Sequence, residues 1–317
     1  MTEPARTADY DAPGVDETTA EAVASTCSAM SAVDEPLPGT ASQTAGWLCL
    51  EHPGAWGRDV FGGEAFDPDL SEALQRHTEA AGVRLLLIRR PGRAAWPARR
   101  TVLFGRPDPA GGWCERFDVA DPADLLDLDL TLTAASPGIG TPVSDPVALV
   151  CAHGKRDLCC AVLGRPVAAT LADRFGDAVW ECSHTGGHRF APSLILLPTG
   201  LTYGRLGPEA SVEAVLAAGR GEVYLPGLRG RSCWSPDGQV AEIAVRERVS
   251  ASDADLTVED LLVGGREAGA LVRHRDGRSW AVETTRVELE ARPPSCGALA
   301  KSVTAVVAAA VTERAGP

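Results

Sequence analysis

Two short segments carry the residue types that could do metal or redox chemistry. The first is C-A-H-G-K-R-D-L-C-C, Cys151 to Cys160, and the second is H-T-G-G-H-R-F-A, His184 to Ala191. Residues 151–188 hold four of the nine cysteines (Cys151, Cys159, Cys160, Cys182) and three of the six histidines (His153, His184, His188). Soft thiolates with imidazoles in one unit point to a transition metal or an iron–sulfur cluster. The i, i+4 histidine pair also occurs where two imidazoles share a helical face in zinc proteases. Here Gly186 and Gly187 lie between the histidines; each costs about 1 kcal/mol inside a helix and admits positive φ. The segment is therefore expected to be a loop that wraps a bulky object with its amides, and no general-base Glu is placed for hydrolysis.

For the two segments to act together, regular elements must bring their ends side by side. P-V-A-L-V-C, 146–151, reads as a strand, and a helix is expected from about Asp157 to Phe175, with Asp157 as its N-cap. Cys160 would lie in the first turn, where unpaired N–H groups favour thiolate over thiol. Lys155 and Arg156 add positive charge there. A strand at 178–182, a hairpin of 193–197 and 201–203 around P-T-G, and a helix over 208–218 follow. This order, βαβ, loop, ββα, is that of a thioredoxin-like domain. The first half has a similar order, consistent with internal duplication: strand 47–51, helix 69–81 capped by Asp67 or Asp69, strand 84–88, strands 101–104 and 113–117, and a helix near Ala123. A Ser/Gly/Pro-rich stretch at 134–142 reads as a linker. Beyond Gly230 the pattern gives a helix over 240–249, a hairpin of 268–274 and 279–288 around Asp276-Gly277, and a closing helix over 298–313. The expected divisions are an acidic tail at 1–25, a small α/β domain at 26–133, a thioredoxin-like domain at 143–235 and an α+β extension at 236–317.

Composition sets outer bounds. With 317 residues, 44% hydrophobic and 23% charged, the chain is expected to fold into about two domains. Forty-three acidic against 30 basic residues give a net charge of -13, which disfavours nucleic acid and anionic membranes as partners. The longest weakly polar run, around 303–311, is about half the ~20 residues that span a bilayer. Residues 1–25 are acidic and poor in apolar groups, so a disordered tail is expected, and no secretory leader is visible. A reducing, cytoplasmic setting then favours thiols or metal ligands over disulfides. Trp47, Trp113, Trp180, Trp234 and Trp280 read as core residues. Cys27, Cys49, Cys114, Cys233 and Cys296, without ligand spacing, read as buried free thiols.

The two segments, with L-P-T-G-L-T-Y-G-R at 197–205, W-L-C-L-E-H-P-G at 47–54, G-T-A at 39–41 and, more loosely, R-G-R-S at 229–232, resemble the sucrase/ferredoxin-like family. The resemblance implies an α/β fold in which a thioredoxin-like ferredoxin domain carries a 2Fe-2S cluster with two cysteine and two histidine ligands. Carried over by position, the ligands are Cys151, Cys160, His184 and His188. Gly186 and Gly187 then shape the cofactor loop. Lys155, Arg156, Asp157, Arg189 and Arg205 become supporting residues. Helical neighbours point about 100° apart, so one of Cys159 and Cys160 faces the cluster, and the eight-residue spacing selects Cys160. Cys159, Cys182 and His153 are the rival ligands, His153 being expected in a supporting role. The implied function is proton-coupled one-electron transfer with a redox partner such as a flavin or ferredoxin reductase. The family's name suggests sucrose cleavage, but no glycosidase carboxylate pair stands out among the 43 acids. Alternatives are a structural Cys2His2 zinc site and a thioredoxin-like thiol oxidoreductase, although a Cys-x-x-Cys motif is missing.

Overall fold

The computed structural model describes residues 26–92, 96–263 and 266–314; the expected acidic tail at 1–25 lies outside them. The apolar runs of the first half become β1 (Gly46–Glu51), β2 (Val83–Arg89), β3 (Arg100–Arg106) and β4 (Trp113–Val119). β1 and β2 are parallel, joined by helix α2 (Pro68–Ala80), whose N-cap is Asp67; a short helix α1 (Cys27–Ala32) precedes them. β3 and β4 add antiparallel. The helix expected near Ala123 is a 3-10 helix of six residues, Pro122–Asp127. A two-residue strand β5 (Thr141–Pro142) lies in the expected linker and pairs with β4.

The second half repeats this plan. β6 (Val147–Cys151) and β7 (Val179–Cys182) are parallel, joined by helix α3 (Leu158–Phe175). β8 (Ser193–Leu197) and β9 (Leu201–Gly204) add antiparallel, and helix α4 (Pro208–Gly219) follows. The orders β2-β1-β3-β4 and β7-β6-β8-β9 are therefore the same arrangement twice. They meet edge to edge through antiparallel pairing of β2 with β7, Ile88 opposite Cys182, and β10 (Leu228–Arg231) completes one ten-stranded sheet. The expected divide at 133–143 falls within that sheet. Alternate strand residues, among them Trp47, Leu86, Ile88, Leu149, Trp180 and Ile195, form an apolar cluster that crosses the seam and contains Cys151 and Cys160.

Helix α5 (Pro236–Arg246), capped by Ser235, begins four residues earlier than expected. It packs on an antiparallel sheet of β11 (Leu256–Val263), β12 (Arg266–His274), β13 (Ser279–Arg292) and β14 (Lys301–Arg314). The segment expected as a closing helix over 298–313 is instead strand β14. Val303, Thr304, Val306, Val307, Val311 and Thr312 are β-branched, lose χ1 freedom in a helix, and pair along β13 instead. Among the described residues no helix is long and apolar enough to cross a membrane.

Candidate metal centre

Cys151 is the last residue of β6 and stands opposite Cys182 in β7. The chain then turns through residues 152–156 into α3, whose N-cap Asp157 accepts from the Cys159 amide. α3 can fold back tightly because residue 164 is glycine: a Cβ there would lie 2.1 Å from the Cys151 carbonyl oxygen. This close approach sets Cys160, in the first turn, beside the strand end. The second segment leaves β7 through Ser183 and reaches His188 by way of Gly186 (φ 92°) and Gly187 (φ 66°). Donor atoms of Cys151, Cys160 and His184 all lie within 4.8 Å of one another. His188 Nδ1 is 3.4 Å from His184 Nε2, with the two rings 5.0 Å apart. The structure thus groups three of the four residues carried over as ligands, with His188 beside His184 but outside that three-residue group.

The glycine loop is packed against protein on the side where side chains would project. A Cβ on Gly186 would meet Ser42 Oγ at 2.0 Å, and one on Gly187 would meet an Arg229 guanidinium nitrogen at 2.4 Å. Ser42 donates to the Thr185 carbonyl (2.8 Å), Arg84 to the His184 carbonyl (2.8 Å) and Arg229 to the Gly186 carbonyl (3.3 Å) and Ser193 Oγ (3.1 Å). His153 has both ring nitrogens engaged: Nδ1 accepts from the His184 amide (3.1 Å) and Nε2 donates to the Gly57 carbonyl (2.7 Å). It therefore orients the loop. His184 Nδ1, by contrast, is buried without a hydrogen-bond partner.

The electrostatics separate the two thiols. The Cys160 thiol donates to Cys151, and with His184 and the Thr185 backbone it holds the Cys151 thiol well below its ordinary range, against the opposing effect of burial. The Cys160 thiol is pushed up by the same contact. Two cations lie near, Arg229 buried and Arg84 half-buried: desolvation lowers Arg84 and pulls Arg229 down to about 9, and in both cases the Cys151 charge acts the other way. A buried imidazole nitrogen without a hydrogen-bond partner, in one group with two cysteine sulfurs of which Cys151 favours thiolate, is a donor set that fits a soft metal or an iron–sulfur cluster.

The supporting residues fall in different places. Lys155 pairs with Glu64 toward solvent and Arg156 lies 3.8 Å from Asp59. Arg189 bonds Glu35 (2.7 Å), and Arg205 donates to the carbonyls of Glu35 and Ser31 (both 2.8 Å), so these two clamp residues 31–35 rather than touching the ligand atoms. Asp157 Oδ2 faces His188 Nε2 at 3.6 Å. Sequence reasoning missed Arg84, Arg229, Cys27 and Cys296. Cys27 and Cys296 meet Cys159 and Asp157 in a second group, and no local spacing announces Arg84, Arg229, Cys27 or Cys296.

Fold and site together define an α/β protein with a largely buried cysteine–histidine group that could hold a metal. The sucrase/ferredoxin-like family model matches residues 37–230, more than half of the chain, and the chain belongs to that family. No curated protein matches it. No solved structure matches it either.

Proposed function

We propose that the protein is a one-electron carrier whose 2Fe-2S cluster is held by Cys151 and Cys160 on one iron and by His184 and His188 on the other. The observation that carries this reading is the convergence of three donor atoms within 4.8 Å, with the His188 ring against His184. Bound there, the cluster would supply a one-electron couple. Two neutral imidazoles in place of two thiolates leave the site less negative, which raises the potential above that of an all-cysteine ferredoxin. Asp157 Oδ2, facing His188 Nε2, can hold a proton at that atom. His184 lines a cleft of about 510 Å³ with His153, Arg58, Arg84 and Arg156, the side from which a reductase of the flavin or ferredoxin type would approach.

The test is iron, acid-labile sulfide and the visible spectrum of anaerobically purified protein. Two irons and two sulfides per chain are expected. His184→Ala and His188→Ala should lose the colour while keeping the far-ultraviolet circular dichroism of the wild type. The potential should fall by about 59 mV per pH unit where one proton accompanies the electron. A colourless protein with one zinc on these residues would replace the reading with a structural Cys2His2 site.

A further inference from the structure

Three cysteines that this centre leaves unused meet on the far side of Asp157. Cys27 comes from α1, Cys159 from the first turn of α3 and Cys296 from the loop between β13 and β14. Cys27 Sγ lies 3.6 Å from Cys159 Sγ and 3.7 Å from Cys296 Sγ. Asp157 Oδ1 is 3.1 Å from Cys159 Sγ and 3.8 Å from Cys27 Sγ, and Oδ2 accepts from the Cys296 amide at 3.0 Å. The four side chains place one donor atom each within 4.8 Å of all the others. Cys27, Asp157 and Cys159 are buried.

The sulfur–sulfur separations of 3.6 and 3.7 Å are close to those of tetrahedral coordination, and the sulfur–oxygen separations of 3.1 and 3.8 Å bracket it. Zn–S bonds of about 2.3 Å and Zn–O bonds of about 2.0 Å set sulfurs roughly 3.8 Å apart and sulfur from oxygen roughly 3.5 Å apart. At 3.6 and 3.7 Å the sulfurs are not joined as a disulfide, whose S–S bond is about 2.05 Å. We propose that Cys27, Asp157, Cys159 and Cys296 form a second metal site, for a soft divalent cation such as Zn²⁺, separate from the Cys151/Cys160/His184 group. The hydrated cation gives up its bound waters and three thiols lose their protons to solvent as three metal–sulfur bonds and one metal–oxygen bond form; no redox change is involved. Four protein ligands close the shell, so the role is structural. The adjacent cysteines then divide the work, Cys160 facing the first centre and Cys159 the second. Cys27 and Cys296 lie outside the family match at 37–230, so the segments flanking that region supply half of the site. The ion would pin α1 and the β13–β14 loop to the N-terminus of α3.

The proposal does not depend on which metal the first centre holds. Its test is zinc content and cysteine protection in the full chain, purified anaerobically and gel-filtered. About one zinc per chain should remain in the wild type and in Cys151→Ala/His184→Ala. In the wild type, Cys27, Cys159 and Cys296 should resist iodoacetamide until a chelator is added and then react together, a readout that requires no variant to fold. Cys296→Ala should retain roughly ten-fold less zinc, and Cys296→His, which restores a ligand, should recover it. Equal zinc in wild type and Cys296→Ala, alkylation indifferent to the chelator, or a disulfide among the three would overturn the site. Zinc lost from Cys151→Ala/His184→Ala but kept by Cys296→Ala would place the ion in the first centre, overturning both proposals. Absence of iron with Cys296-dependent zinc would overturn the cluster reading alone.

Discussion

At the scale of single residues, the buried guanidinium of Arg229 decides what the first centre can favour. It donates to Thr40 Oγ1 (3.0 Å), to the Thr40 and Gly186 carbonyls and to Ser193 Oγ, and has no carboxylate partner among the described residues. Burial alone would expel its charge; the thiolate of Cys151 acts to retain it. With the proposed cluster bound, reduction would add negative charge, so removing this cation should disfavour the reduced state. Arg229→Met is expected to lower the midpoint potential by roughly tens of millivolts, and Arg229→Lys, which keeps the charge, to lower it less; equal shifts would mean that hydrogen bonding rather than charge sets the potential. The candidate ligands were legible in the sequence because their types are rare and their spacings short: nine positions from Cys151 to Cys160 and four from His184 to His188. Arg84, Arg229, Cys27 and Cys296 were not legible, because each reaches the centre from a distant element and only the folded chain supplies the adjacency. Gly186 and Gly187 were recognised as loop formers, yet it is Ser42 and Arg229 that fill the space a side chain would need.

At the scale of elements, the centre depends on how closely α3 lies against the end of β6. Gly164 permits that approach, and substitution sets two effects against each other. Alanine is the better helix former by about 1 kcal/mol, but its Cβ would stand 2.1 Å from the Cys151 carbonyl oxygen, a backbone atom that cannot swing aside. Overpacking of this kind costs about 1–3 kcal/mol, so Gly164→Ala is expected to lower the urea midpoint despite its helix propensity and to reduce metal content by displacing Cys160 from Cys151; a raised midpoint would show that helix and strand are not tightly held. Most elements followed from apolar period and caps, as Asp67 and Asp157 illustrate. β14 did not, because its alanines suit a helix as well as a strand, and only pairing with β13 selects the strand. The stretch at 134–142 read as a linker because of its composition, but the Glu115 carboxylate gathers it through the amides of Gly138, Ile139 and Gly140.

At the scale of the whole molecule, two halves of one topology share a sheet, and buried titratable groups on both sides of the seam make its stability depend on pH. Leu87 and Ser183 exchange hydrogen bonds across the seam (2.9 and 2.7 Å), and Arg89 pairs with Glu181 beside them. Just beyond β1, His52 is buried against Phe66 and Trp96; burial, helped by Arg100, pulls it from 6.5 to about 4. His153, buried in the second half, is lowered too. A histidine held neutral in the fold but free to protonate when unfolded contributes stability that is complete above the unfolded value near 6.5 and declines as pH falls toward the folded value. For His52 the loss between pH 6.5 and 4 amounts to about 3 kcal/mol. Buried carboxylates add a second stage: Glu242, despite its burial, is held low by Arg231 and Arg246, and its contribution disappears below the ordinary carboxylate range. Unfolding free energy measured in urea should therefore fall continuously from pH 6.5 to 4 and more steeply below. His52→Leu, which keeps an apolar side chain in the same enclosure, should flatten the upper stage while leaving the lower one. If the slope between pH 6.5 and 4 is unchanged in that variant, the His52 ring is solvated in the folded protein and its enclosure by Phe66 and Trp96 does not persist in solution.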